Sequence, residues 1–61
     1  MNKELLEYEM KIRKINKEKM CKHLGISRSA FYRKSNSLSE FTLTEIQTML
    51  SLGLPSYIFF S

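Results

Sequence analysis

The stretch MCKHLGISRSAFYR, residues 20–33, decides the fold of this 61-residue chain. The apolar spacing around it predicts a helix over about Lys17–Leu24, and Gly25 follows where a left-handed residue readily ends a helix. Ser27 is a typical helix cap, so a second helix is expected over about Arg28–Ser35. The sequence therefore predicts two short helices joined by a tight turn.

One further helix is predicted on each side of this pair. Asn2 can cap a first helix that ends near Lys14, and the run from Thr42 to Glu45 has the pattern of a capping box that begins a fourth. The polar loop 36–41 has Leu38 and Phe41 as candidate anchors. Expected inward-facing residues are Leu5, Leu6, Tyr8, Met10, Ile12 and Ile15 in the first helix, Met20, Cys21 and Leu24 in the second, and Leu43, Ile46, Met49 and Leu50 in the fourth. These patterns predict a compact all-α domain over residues 1–61, with four to five helices and a short C-terminal apolar tail.

Positive charge is concentrated in the segment that contains the predicted helix pair. Residues 11–34 hold nine lysines and arginines against one glutamate, a balance of +8, whereas residues 1–10 and 35–61 each carry −2. Clustered cations of this kind are typical of a protein whose partner is a polyanion. A solvated basic face without a partner is the alternative.

Size and residue spacing argue against several other classes of function. A chain this short buries only about 60% of the surface that its unfolded form exposes, which leaves little room for a catalytic cleft. Cys21 and His23 point in different directions on a helix, and no further His or Cys could complete a metal shell. We expect no enzymatic activity, no metal and no cofactor.

No apolar run approaches about 18 residues and the N-terminus is too charged for a signal peptide, so a cytoplasmic protein without a membrane partner is expected.

The segment from Gly25 to Ser29, followed by Phe31-Tyr32-Arg33-Lys34, resembles the helix-turn-helix of phage Cro and repressor-type regulators, the xenobiotic-response-element class. The resemblance spans roughly residues 16–52 and includes the run 40–46, which resembles the start of that family's fourth helix. That family's pattern asks for a small residue where the two helices cross closely and a bulky apolar residue that fills the core. Cys21 and Phe31 occupy these positions. The resemblance implies a lambda-repressor-like fold whose third helix enters the DNA major groove.

Two sets of DNA contacts are expected. By resemblance, the outward positions that meet base edges are Ser27, Arg28, Ser29, Tyr32 and Arg33, with Asn36 just beyond. Arginine can pair bidentately with guanine, whereas a tyrosine could lie on a phosphate, stack on a thymine methyl or cover the turn. Phosphate contacts are expected from Asn16, Lys17 and the backbone N–H groups at the start of the second helix, and Lys19, Lys22 and Lys34 add charge. A solvated cation is the alternative for each basic residue.

The apolar tail Tyr57-Ile58-Phe59-Phe60 has three interpretations, which are completion of the core, a dimer contact and a frayed end. Since paired helices can read half-sites one turn apart, a homodimer at least on DNA is expected.

The sequence therefore predicts a sequence-specific regulator of transcription that binds double-stranded DNA. By resemblance it is a small phage- or prophage-type repressor on the bacterial nucleoid. The alternative is a protein-binding module that blocks another phage or host regulatory protein as an antirepressor or inhibitor.

Overall fold

Each predicted helix is present, and each begins after the capping residue that the sequence indicates. The structure, a computed structural model, describes residues 1–60. Within that range the helices are α1 Lys3–Ile12, α2 Lys17–Leu24, α3 Arg28–Ser35 and α4 Leu43–Ser51, followed by a 3-10 helix over Ser56–Phe59, and no strand is present. The predicted all-α class is confirmed.

Side chains at the helix starts account for these boundaries. The side-chain oxygens of Asn2, Asn16 and Ser27 each accept a hydrogen bond from the backbone N–H three residues on, at 3.0, 2.8 and 3.1 Å. Thr42 and Glu45 form the predicted capping box. Thr42 Oγ1 accepts from the Glu45 N–H at 3.1 Å, and the Glu45 carboxylate accepts from the Thr42 N–H at 2.9 Å. These caps satisfy N–H groups that a helix otherwise leaves without an intrahelical partner.

A left-handed glycine makes the tight turn between α2 and α3. Gly25 has φ 69° and ψ 32°. The N–H groups of Gly25 and Ile26 donate back to the carbonyls of Lys22 and Cys21 at 3.3 and 3.1 Å, which is the Schellman ending that such a residue permits. Nothing lies within 4 Å of the place where a Cβ of residue 25 would stand. The preference for glycine here is therefore conformational rather than steric.

All four α-helices and the C-terminal segment contribute to one buried apolar cluster. Its members are Leu6, Met10, Met20, Cys21, Phe31, Met49, Leu54 and Ile58. Cys21 and Phe31 are 6% and 3% exposed, so both positions are internal as predicted. Phe41 packs edge-on against Phe31 with ring centroids 6.1 Å apart. This contact confirms Phe41 as an anchor of the loop before α4.

The predicted inward face of α1 is wrong in part. Tyr8 and Ile12 are 58% and 54% exposed, whereas Leu6 and Met10 are buried. The helix carries two apolar stripes, and at about 100° per residue Tyr8 and Ile12 lie roughly 120° or more away from Leu6. Packing against the other helices selects the stripe of Leu6 and Met10. The α1 helix also ends at Ile12 rather than near Lys14, which adopts a positive φ of 58°.

Three leucines predicted to face inward are exposed instead. Leu38 is 69%, Leu43 71% and Leu50 39% exposed. The buried face of α4 runs through Glu45 and Met49, one turn apart, and Leu43 and Leu50 project roughly 100° or more to one side of Met49. Because Leu38 is mostly exposed, it does not anchor the loop before α4.

Candidate nucleic-acid interface

The outward face of α3 carries four exposed polar side chains. Arg28, Ser29, Tyr32 and Arg33 lie on this face, while Phe31 points into the core. Residues three and four apart are neighbours on a helix surface, so the four form one continuous strip. Among residues 1–60, no hydrogen bond or ion pair engages the side chain of either arginine.

This strip borders a shallow groove lined by cations. The groove has a volume of about 410 Å³ and lies between α3 and the first residues of α1 and α2. Lys3, Lys17, Arg28 and Arg33 line it, and no carboxylate is among the lining residues. A cleft lined by one sign of charge focuses the electrostatic potential. The groove therefore suits an anionic ligand.

The lysines of α2 are also exposed, as phosphate contacts must be. Lys17, Lys19 and Lys22 all reach solvent. Lys17 Nζ lies 3.5 Å from Glu7 Oε2 and Lys22 Nζ lies 3.6 Å from Glu18 Oε1, and all four side chains of these pairs are well exposed. Exposed pairs contribute only about 0–1 kcal/mol. A polyanion can therefore replace either carboxylate.

Two predicted contact residues already serve as helix caps. Asn16 Oδ1 and Ser27 Oγ accept the backbone hydrogen bonds that begin α2 and α3. The Asn16 N–H groups and the Ser27 hydroxyl proton remain as donors. Because both residues are exposed, they can donate to an anion without releasing the helix ends.

Lys34 differs from the other predicted phosphate ligands because it is held inside the protein. Its Nζ donates to both carboxylate oxygens of Glu45 at 2.7 Å, and the two side chains are only 16% and 10% exposed. Burial raises the pKa of Glu45, but hydrogen bonds from Lys34 and from the Thr42 N–H outweigh burial and hold that pKa below its ordinary value of 4.5. The pair joins the end of α3 to the start of α4. Lys34 therefore positions α3 rather than offering a free charge.

Asn36 is joined to α1 by a lysine that sequence reasoning missed. Lys3 Nζ donates to Asn36 Oδ1 at 3.0 Å and stands 5.9 Å from the centroid of the Tyr32 ring. Asn36 Nδ2 donates to the Tyr32 carbonyl oxygen at 2.7 Å, which leaves the amide one lone pair and one N–H for other partners. Lys3 and Asn36 are 33 residues apart, so no local sequence pattern could indicate this contact.

The C-terminal tail divides between core and surface. Ile58 is fully buried, and Phe59 is half-buried against the core cluster. Tyr57 and Phe60 are 56% and 84% exposed. The Tyr57 hydroxyl donates to Glu9 Oε2 at 3.3 Å, and local desolvation together with the Glu9 charge raises the pKa of the phenol. Of the four candidate dimer contacts, Tyr57 and Phe60 therefore offer surface to a partner, whereas Ile58 and Phe59 complete the core.

Residues 1–60 contain no group of three His, Cys, Asp or Glu side chains placed to hold a metal ion. None of the helices in that range is long and apolar enough to cross a membrane. Comparisons with protein-family models, curated proteins and solved structures gave no match. The function is therefore inferred from the geometry and charge of the interface itself.

Proposed function

We propose that this chain is a sequence-specific regulator of transcription that binds double-stranded DNA, with α2 and α3 as a helix-turn-helix of the lambda-repressor-like kind. The observation that carries the proposal is the outward face of α3. There Arg28 and Arg33 are exposed and border a groove whose lining includes four cations and no carboxylate. The sequence resemblance to small Cro-like phage repressors supports the same function.

The dimensions and chemistry of α3 suit major-groove binding. An α-helix with its side chains is about 10–12 Å in diameter, and the major groove of B-DNA, about 12 Å wide, admits one such helix. Each arginine can pair bidentately with guanine O6 and N7. Ser29 can donate or accept a hydrogen bond, and Tyr32, 61% exposed, adds a ring and a hydroxyl to the same face.

Phosphate anchoring is assigned to the lysines of α2 and to its N-terminus. Asn16 contributes amide donors, Lys17, Lys19 and Lys22 contribute charge, and the unpaired backbone N–H groups of the first turn point at the same anion. These contacts set the register of the protein on the duplex and carry no sequence information. Lys34 is left out of this set because Glu45 neutralises it.

A homodimer on DNA completes the proposal. A single eight-residue helix touches few base pairs, and two copies would read half-sites about 34–36 Å apart. Tyr57 and Phe60, the exposed residues of the tail, are assigned to the contact between copies. A palindromic binding site would support this arrangement.

The test is to enrich random duplexes on the purified protein and to measure the affinity of the selected duplex against salt. If the three lysines of α2 contact phosphates while the arginines read bases, log K should fall against log salt with a slope of about −2.7 per monomer, or about −0.9 per phosphate. Arg28→Ala should relax preference at one base pair by about 1–3 kcal/mol. If no duplex is retained even at low salt, the proposal is wrong.

Arg28→Lys is the matched control for base reading. The lysine keeps the positive charge but cannot make the planar bidentate pair. We expect the variant to keep the salt dependence of the unaltered protein and to lose its preference at the same base pair as Arg28→Ala. If both Arg28→Ala and Arg28→Lys bind with unchanged preference, Arg28 does not read a base, and a smaller salt slope for Arg28→Ala would make it a phosphate contact. A large drop in the melting temperature of Arg28→Ala would instead show that Arg28 is structural.

A second candidate function is protein binding, which the exposed leucines favour. Leu38 and Leu43 are 69% and 71% exposed, and exposed apolar surface often contacts proteins. In this role the domain would block another phage or host regulator instead of an operator. The duplex selection separates the two functions, since an antirepressor would enrich no DNA sequence.

A further inference from the structure

A cluster of three polar side chains joins the first residue of α1 to the end of α3. Lys3 Nζ stands 3.0 Å from Asn36 Oδ1 and 5.9 Å from the Tyr32 ring centroid. Asn36 Nδ2 in turn donates to the Tyr32 carbonyl oxygen at 2.7 Å. One lysine of α1 therefore contacts two residues of the proposed base-reading set.

We propose that Lys3 is a positioning residue for base recognition, which holds the Tyr32 ring and the Asn36 amide in one arrangement on the face of α3. This inference rests on the proposed DNA-binding function and deepens it, because it extends the determinants of specificity from α3 to α1. The ligand is duplex DNA, and the base pairs concerned are those under Tyr32 and Asn36.

The backbone at Lys3 is fixed well enough to serve as such a support. The N–H of Asn2 donates to the Ile58 carbonyl oxygen at 2.9 Å, and the Asn2 side chain caps α1 by accepting from the Leu5 N–H at 3.0 Å. The start of α1 is therefore tied to the C-terminal 3-10 helix and to its own first turn. The backbone position from which the Lys3 side chain extends is therefore fixed.

The charge of Lys3 does not serve the stability of α1. Lys3 is the first residue of the helix, where the macrodipole disfavours a cation. Its ammonium group is instead satisfied by the Asn36 oxygen and by the face of the Tyr32 ring. The charge is thus directed at the α3 surface.

Tyr32 needs support of this kind. The side chain is 61% exposed, and an exposed aromatic side chain exchanges between staggered rotamers when nothing holds it. The ammonium group 5.9 Å from the ring centroid restricts that exchange. A fixed side chain makes its base contact at a smaller cost in ordering, and a side chain held in one rotamer cannot readily adjust to a different base.

A direct phosphate contact by Lys3 is the competing explanation, and the two differ in what they change. A phosphate contact affects all sequences equally and adds about 0.9 to the salt slope. A positioning residue changes preference at particular base pairs and leaves the slope unaltered. Lys3→Met keeps the unbranched stem of the side chain without its charge, and Lys3→Arg keeps a cation that can also stack on an aromatic ring.

The experiment uses the duplex that the unaltered protein enriches from a random library, together with its single-base variants. The proteins are the unaltered chain, Lys3→Met, Lys3→Arg, Tyr32→Ala and the double variant Lys3→Met/Tyr32→Ala. We expect Lys3→Met to lose about fivefold or more of the discrimination at the base pair where Tyr32→Ala loses it. Lys3→Arg should retain most of that discrimination. The double variant should lose no more than Tyr32→Ala alone, because the lysine acts through the ring.

Two results would overturn the inference. One is additive loss in the double variant. The other is a uniform weakening by Lys3→Met with a salt slope reduced by about 0.9. Circular dichroism of Lys3→Met should show an intact helical fold, so that any loss of preference is local. If the unaltered protein enriches no duplex at all, the proposed function fails first, and this inference fails with it.

Discussion

Replacing Lys34 with methionine tests whether this lysine holds the fold together or contacts DNA. In the structure its ammonium group makes two 2.7 Å hydrogen bonds to Glu45, and both side chains are largely buried. Removing one partner from a fully buried pair costs about 3–5 kcal/mol, because an uncompensated charge stays inside the protein. Here both groups keep a small exposure, and Glu45 still accepts from the Thr42 N–H. We therefore expect Lys34→Met to lower the free energy of unfolding by about 2 kcal/mol.

That loss is large for a domain of this size. Small proteins have about 0.05–0.15 kcal/mol of stability per residue, and 1 kcal/mol shifts the melting temperature of such a domain by about 4–8 °C. Thermal and urea unfolding followed by circular dichroism should therefore separate the variant clearly from the unaltered protein. Lys22→Met is the matched control, since it removes a lysine from the exposed pair with Glu18. We expect that control to change stability by about 0–1 kcal/mol.

The pH dependence gives an independent check on the same pair. The folded-state pKa of Glu45 lies below its ordinary value of 4.5. The stabilisation is therefore present above about pH 4.5 and is lost as pH falls through the lowered folded-state pKa. The difference between Lys34→Met and the unaltered protein should be largest near neutral pH and should shrink in acid. An unchanged melting temperature, together with weaker DNA binding and a smaller salt slope, would refute this reasoning and make Lys34 a phosphate contact.

Urea unfolding at neutral pH also tests three other features of the fold. Cys21→Leu should lower stability by about 1–3 kcal/mol by overpacking the core, and an unchanged midpoint would show spare room beside Cys21. Gly25→Ala should lower it by about 1 kcal/mol, because φ 69° disfavours a residue with a Cβ; no loss would mean that the turn relaxes. Ile58→Ala should cost about 2–5 kcal/mol, whereas Phe60→Ala, at an 84% exposed position, should cost less than about 0.5 kcal/mol. Equal losses for these two would contradict the division of the tail between core and surface.

The helix starts could be predicted because they depend on local chemistry. A cap is a contact between a side chain and a backbone N–H three residues on, so Asn16 and Ser27 indicate the starts of α2 and α3 without knowledge of the rest of the chain. The left-handed Gly25 is local for the same reason. The exposed positions of Arg28 and Arg33 follow from the same periodicity once Phe31 is taken as internal.

The predicted inward face of α1 is wrong at Tyr8 and Ile12 because periodicity did not identify which of two apolar stripes is buried. Leu6 and Met10 compete with Tyr8 and Ile12 on the same helix, and only packing against the other helices selects the first pair. Leu43 and Leu50 were misplaced for a related reason. The buried face of α4 is set by the packing of Met49 and by the ion pair of Glu45 with Lys34 of α3. Both depend on residues outside α4, so the sequence of α4 alone does not predict them.

The amino-acid sequence by itself determined the helices, the turn at Gly25, the concentration of positive charge and the outward arginines of α3. All of these depend on residues within a turn or two of one another, where covalent geometry limits the choices. Only the tertiary structure decided that Lys34 is neutralised by Glu45 and that Lys3 reaches Tyr32 and Asn36. It also decided that Ile58 belongs to the core. These are contacts between distant parts of the chain, and their partners are chosen by the packing of the whole domain, which no local pattern encodes.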